Sequence, residues 1–295
     1  MALASFLMMR LFRLLSYLPL SWLHWLGVLL GWITWLLSPA YRQHLHANMV
    51  LALGASTAQA LRSAAIAEAG KAMLELPKIW LRPRAETLAR VVGVSGWSLF
   101  EAAQKEGKGL LLLTPHLGCF EIAAQYCAQH APISVLYRPP RKPWLQDLVK
   151  QGRSRPNLHL ASADLNGVRI LLKALRRGET VGILPDQAPR LGEGRWLDFF
   201  GKSAYTMTLA ARLSETGACV LFIWVERLPH SAGYHVHVQA PSLALSGSTE
   251  ARAQQINHGI EQLIRQCPSQ YLWAYQRYKK PAGVAGPKPH DGASA

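Results

Sequence analysis

The chain has 295 residues, half of them hydrophobic, with 32 lysines and arginines against 17 aspartates and glutamates, a formal charge of +15. That length suits one large α/β core with an appendage, and no repeat or low-complexity block divides it. So positive and so apolar a chain favours an anionic lipid surface over a soluble polyanion. No nucleic-acid partner is expected, because the basic residues are scattered and form no RNP, zinc-finger or basic-region pattern. Cys119, Cys127, Cys219 and Cys267 lie in apolar segments without C-x-x-C spacing, which argues against a zinc site or redox pair and for buried, reduced thiols.

In chain order, Arg10 and Arg13 are the only formal charges before Leu37, and the apolar stretch 14–37 is long enough to cross a ~30 Å hydrocarbon core. It outlasts the apolar region of a signal peptide, so residues 1–39 read as a retained membrane anchor. Pro19 offers a break into two shorter helices, giving an in-plane or re-entrant anchor in place of a span. Basic residues flank both ends, so charge leaves the orientation open. Trp22, Trp25, Trp32 and Trp35 make an aromatic stripe that reads as lipid contact or packing.

Residues 41–53 and 57–76 read as amphipathic helices, the second capped by Ser56 or Thr57 and closed by Pro77. A short strand at 91–94 and a helix at 98–105 ended by Gly107 follow. The run Leu110-Leu111-Leu112-Leu113 is continuous rather than alternating, as in a strand buried on both faces of a parallel sheet, and Pro115 and Gly118 then punctuate a turn into a helix at 119–128. Strands at 133–137, 157–161 and 180–184 alternate with helices at 143–153 and 166–177, the latter ended by Gly178. After a glycine-bearing loop come a helix at 206–215, a long apolar strand at 218–226, an edge or antiparallel strand at 234–239 and a helix at 249–266. His235 and His237 share a face of that late strand, but two histidines without a third ligand read as a solvated face. The chain beyond Pro281 is rich in Gly, Pro and Ala and is expected to be disordered. This rhythm predicts an α/β fold: a mixed, mostly parallel central sheet flanked by helices, with an N-terminal hydrophobic membrane-anchoring helix.

In open α/β sheets ligands bind beyond the carboxyl ends of the strands. His116 sits at such an end, and Glu121 follows five positions later. On one continuous helix the two would lie about 140° apart, but with His116 in the turn and Glu121 in the first helical turn the carboxylate can fold back to the imidazole. A glutamate on one ring nitrogen would fix the tautomer and leave the other nitrogen to take a proton from a hydroxyl. The alternative stays open that Glu121 simply faces the helix dipole and His116 faces water. Cys119, at a helix start, reads either as a lowered-pKa thiol or as a small core residue. Other strand ends deliver Arg138, Arg141 and Lys142, then Asp186 and Gln187. The cations suit phosphate oxygens, although ordinary surface charge explains Arg141 and Lys142 equally well, and Arg138 is a candidate partner for Asp186.

Five blocks in order, Thr114-Pro115-His116-Leu117-Gly118-Cys119-Phe120-Glu121, Tyr137-Arg138-Pro139-Pro140, Ile183-Leu184-Pro185-Asp186-Gln187, Phe199-Phe200-Gly201-Lys202 with Thr206, and Pro268-Ser269-Gln270-Tyr271-Leu272-Trp273 with Arg277, resemble those of the lipid A biosynthesis acyltransferases, lauroyl and myristoyl transferases within the H-x4-D/E glycerolipid acyltransferase superfamily. The phosphatidic-acid branch is less similar, since Pro115 precedes the histidine and no E-G-T-R block occurs. The resemblance implies an anchor at 1–39, an acyltransferase domain at 40–280 and a tail at 281–295. It also implies transfer of a fatty acyl chain from acyl-carrier protein to a hydroxyl on an acyl chain of a phosphorylated lipid A precursor, at the cytoplasmic face of the inner membrane. His116 and Glu121 would be catalytic, and Arg138, Arg141, Asp186, Gln187 and Gly201 would bind substrate. Backbone N–H groups of Gly118 and Cys119 would hold the oxyanion. No metal or cofactor beyond the acyl donor is expected. Three alternatives are a glycerophospholipid O-acyltransferase, a non-catalytic protein of anionic membranes, and a hydrolase using the same base on water.

Overall fold

The structure is a computed structural model that describes residues 2–140 and 143–287; Met1, Arg141, Lys142 and residues 288–295 lie outside them. Six helices come first: α1 (Ala2–Tyr17), α2 (Leu20–Leu37), α3 (Pro39–Leu53), α4 (Ala55–Leu74), α5 (Leu76–Leu81) and α6 (Arg84–Leu88). Then strands and helices alternate: β1 (Val91–Ser95), α7 (Trp97–Glu106), β2 (Leu110–Leu113), α8 (Phe120–His130), β3 (Ile133–Tyr137), α9 (Pro143–Arg153), β4 (Leu158–Ser162), α10 (Leu165–Arg176) and β5 (Thr180–Ile183). The hairpin β6 (Gly194–Phe199) and β7 (Lys202–Met207) follows, then α11 (Leu209–Ser214), β8 (Cys219–Arg227), β9 (Tyr234–Gln239) and α12 (Thr249–Gln266).

Seven strands form one sheet in the order β1-β9-β8-β2-β5-β3-β4, every pairing parallel except β8 with β9. The mixed, mostly parallel sheet flanked by helices is as the sequence reading expected. β2 is central, and its four leucines are almost fully buried. Each such side chain contributes roughly 1.5–3 kcal/mol by leaving water. One register decides the chemistry: Leu113 pairs with Ile183, so β2 and β5 end side by side and the residues three beyond each pair are His116 and Asp186.

Pro19 does break the N-terminal segment, with α1 stopping before it and α2 starting after it. α2 is the one described helix long and apolar enough to cross a membrane, with mean hydropathy 1.5. It also packs closely against α4: a Cβ on Gly70 would stand 1.9 Å from the Gly27 carbonyl oxygen, so glycine is what lets the backbones approach. Leu20, Leu23 and His24 are buried against the rest of the molecule, while Trp22, Trp25, Leu29, Ile33, Leu36 and Leu37 stay exposed. One face of the apolar segment is therefore part of the core.

Local readings need three adjustments. Gly54, not Ser56 or Thr57, is the N-cap of α4, and Pro77 lies in the first turn of α5 rather than closing α4. The loop read between Gln187 and Thr206 contains the β6–β7 hairpin, turned by Phe200 and Gly201 with φ of 52° and 72°. Finally, the beginning of the tail is ordered by contact: Val284 is buried and the Ala285 carbonyl accepts from the Trp196 indole at 2.7 Å.

Candidate active site

The turn leaving β2 is fastened on every side. Thr114 N–H donates to the Ile183 carbonyl, Gly118 N–H to that of Gln270 and Cys119 N–H to that of Val225, while the His116 carbonyl accepts from Leu272 N–H. Gly118, at φ +61°, is pressed so close to the Val225 carbonyl that a Cβ would lie 2.0 Å from its oxygen. This seating corrects one expectation: the Gly118 and Cys119 N–H groups are spent on backbone carbonyls and are not free to hold an oxyanion.

His116 is gripped by Asp186. The ring Nδ1 lies 2.7 Å from one carboxylate oxygen, and the backbone N–H of His116 donates to the other at 2.9 Å. Burial works against the Asp186 charge, but the imidazole and its two hydrogen bonds outweigh it and hold the carboxyl below its ordinary value. In the neutral ring an ionised acceptor there puts the proton on Nδ1 and leaves Nε2 with its lone pair. The Gln187 amide nitrogen stands 3.2 Å from that Nε2, as a donor to it. Phe120 packs edge-on against the ring, with centroids 4.8 Å apart. Tyr271 lies close by, its phenol pushed well up by burial and then by the Asp186 charge.

The hydrogen bond to the ring that the sequence reading assigned to Glu121 is thus made by Asp186, and Asp186 takes His116 where Arg138 was expected. Glu121 is nonetheless buried and fully engaged: Arg153 forms a two-point ion pair with its carboxylate, and the Trp80 indole N–H donates to Oε2 at 3.0 Å. Burial raises the Glu121 carboxyl, but the Arg153 charge and hydrogen bonds from Arg153 and Trp80 bring it below the usual range, with a smaller contribution from His116. Glu121 and Arg153 also border a cleft between α8 and the sheet, walled by apolar groups including Leu112, Phe120, Leu136, Leu158 and Leu184.

Other expected residues lie apart from this centre. Arg138 is exposed, with its nearest acid Glu193 at 3.8 Å. Gly201 is explained by the left-handed turn between β6 and β7, with open space where a Cβ would be. Arg141 is outside the described residues. Two of the block residues do meet: the buried Arg277 guanidinium donates to Thr206 Oγ1 at 2.7 Å and to the Tyr205 carbonyl. Cys119 is a core residue, its thiol pushed well up by burial and by Glu75, so no thiolate nucleophile resides there. His235 and His237 stack on each other 4.4 Å apart, and among the described residues no group of three or more His, Cys, Asp or Glu is arranged to hold a metal ion.

A buried carboxylate, an imidazole held by it and an apolar cleft, all at the carboxyl edge of a mostly parallel sheet, form the kind of site found in α/β enzymes. The sequence narrows that class, because residues 1–280 match the family described as bacterial lipid A biosynthesis acyltransferase, and the chain belongs to it. It is similar to the lipid A biosynthesis lauroyltransferase of Escherichia coli K12, 27% identical over 295 residues that cover 90% of this chain and 94% of that one. It is also similar to the palmitoleoyltransferase of lipid A biosynthesis from the same organism, 26% identical across 72% of this chain and 70% of that protein. A Haemophilus influenzae lipid A biosynthesis acyltransferase is 28% identical over 61% of this chain and 57% of its own length.

Proposed function

We propose that this protein transfers a fatty acyl chain from acyl-carrier protein to a hydroxyl on an acyl chain of a phosphorylated lipid A precursor, at the cytoplasmic face of the inner membrane. The observation that carries the reading is the Asp186–His116 pair opening beside an apolar cleft, in a chain whose family members act in lipid A biosynthesis. Asp186 holds His116 in the tautomer that keeps Nε2 basic. The acceptor hydroxyl takes the position facing Nε2 where the Gln187 amide now donates. Its oxygen attacks the thioester carbonyl carbon as its proton passes to His116, the carbon–sulfur bond breaks, and the protonated imidazole returns that proton to the departing thiolate. General-base help of this kind is worth about 10²–10⁴ in rate. The buried Cys119 supports direct transfer over an acyl-thiol intermediate. The aliphatic tail of the donor lies in the cleft under α8, and the exposed apolar faces of α1 and α2 rest on the membrane.

The test is mass spectrometry of lipid A from cells lacking this protein and then regaining it. A gain of one acyl mass on lipid A is expected, and its size names the chain. Unchanged lipid A, with acylated glycerophospholipid or free fatty acid accumulating instead, would refute the reading in favour of a glycerolipid acyltransferase or a hydrolase.

A further inference from the structure

The Glu121–Arg153 pair depends on a residue from outside the β-α alternation. Trp80 lies on α5, a six-residue helix ahead of the sheet, and is 6% exposed. It reaches Glu121 directly and packs on the residue next to Arg153. Its indole N–H donates to the same Glu121 oxygen that accepts from Arg153 Nε, each at 3.0 Å. Its ring lies on Gly152, next to Arg153, where an added Cβ would come within 2.4 Å of the indole side chain. The α5 backbone is fixed in turn, since Arg155 donates to the carbonyls of Trp80 and Arg82, both at 2.9 Å. On the far side, Lys78 donates to the carbonyls of Ser16 and Leu18, at the corner between α1 and α2.

We propose that Trp80 is a positioning residue of the active site, its indole N–H fixing the Glu121 carboxylate against Arg153 while its ring sets where Arg153 leaves α9. The inference rests on the acyl-transfer reading for its kinetic consequence, but not for its structural content. A carboxylate held by one arginine can swivel about that pair, whereas a second donor of different direction on Oε2 removes the freedom. Hydrogen bonds to charged groups carry enough energy that losing the N–H is expected to cost about tenfold in rate if Glu121 orientation matters to turnover. If the bond served only to satisfy a buried indole, its loss would cost stability and leave turnover alone.

Trp80→Phe keeps the aromatic packing and removes the donor. In an acyl-transfer assay its kcat is expected to fall about tenfold with KM for both substrates unchanged. On a Glu121→Gln background the same substitution is expected to add little, because coupled residues are not additive. An equal loss in both backgrounds, or none in either, would overturn the proposal. A second readout needs no turnover: carbon-13 NMR titration of the Glu121 carboxyl is expected to give a higher pKa in Trp80→Phe than in the parent protein, and coincident titrations would also overturn it. Absence of acyl transfer by the parent protein would instead defeat the function proposed above, and the titration would still decide the role of Trp80.

Discussion

Two of the buried charge clusters among the described residues hold a histidine against a carboxylate, and of these only the one at the end of β2 looks outward. In the first, Arg227 on β8 pairs with Glu75 through two nitrogens and with Glu68 at 2.7 Å, and Tyr234 donates to Glu75 at 2.9 Å. His24 of α2 lies 3.4 Å from the same carboxylate, its other ring nitrogen 2.9 Å from the Ser231 hydroxyl. That cluster clamps the N-terminal helices to the sheet. In the second, Asp186 grips His116 just as firmly, but the far ring nitrogen meets only a neutral amide at 3.2 Å. The histidine side chain stays 16% exposed, against 5% for that of His24. Burial, carboxylates and a histidine are common to both, so none of these marks the chemistry. What separates them is the partly exposed second ring nitrogen at the end of β2, which the proposed function assigns to the substrate.

The comparison breaks most visibly at Asp186. Asp186→Asn is expected to lower kcat by roughly 10²–10⁴, because the amide no longer enforces the Nδ1–H tautomer, while thermal melting changes little. A loss of stability with normal kcat per folded molecule would make the Asp186 pair a clamp like the first. Glu75→Gln should do the reverse. Arg227 would be left short of its counter-charge, at a cost of about 3–5 kcal/mol in denaturant unfolding, and kcat per folded molecule should hold.

The pH dependence sharpens the same contrast. Burial raises the Glu75 carboxyl, but the Arg227 charge and hydrogen bonds from Arg227 and His24 lower it from 4.5 to about 2. A carboxyl depressed on folding stabilises the protein fully above its unfolded pKa and loses that contribution as pH falls toward the folded one. Acid unfolding should therefore steepen between about pH 4.5 and 2 in the parent protein and flatten in Glu75→Gln. The smallest effect is expected at Arg138, whose exposed pair with Glu193 contributes below about 1 kcal/mol. Arg138→Ala should leave melting unchanged and raise KM for a phosphorylated acceptor a few-fold if that guanidinium meets the substrate.

The parallel strands and long helices were legible because continuous apolar runs and 3.6-residue periodicity report burial directly. The ends β2 and β5 also named His116, Asp186 and Gln187. Their pairing was not legible, since sequence order suggests β3 as the neighbour of β2, whereas β5 lies between them. That hidden neighbour is why Asp186 was matched to Arg138. The partners of Glu121 escaped for a related reason: Arg153 and Trp80 are 32 and 41 residues away, and only tertiary packing brings them together. The β6–β7 hairpin was missed because Phe200-Gly201 lacks the Asn-Gly or Asp-Gly signal of such turns. Backbone donors at Gly118 and Cys119 looked free because nothing local shows the carbonyls of Gln270 and Val225 arriving from the end of the chain and from β8.

The most direct test of the central claim, that His116 Nε2 is the base, is single-turnover acyl transfer by purified His116→Ala, with folding and lipid binding checked alongside. The account predicts a loss of at least about 10²-fold in the rate of product formation with binding retained. Transfer at a near-normal rate in that variant would contradict it.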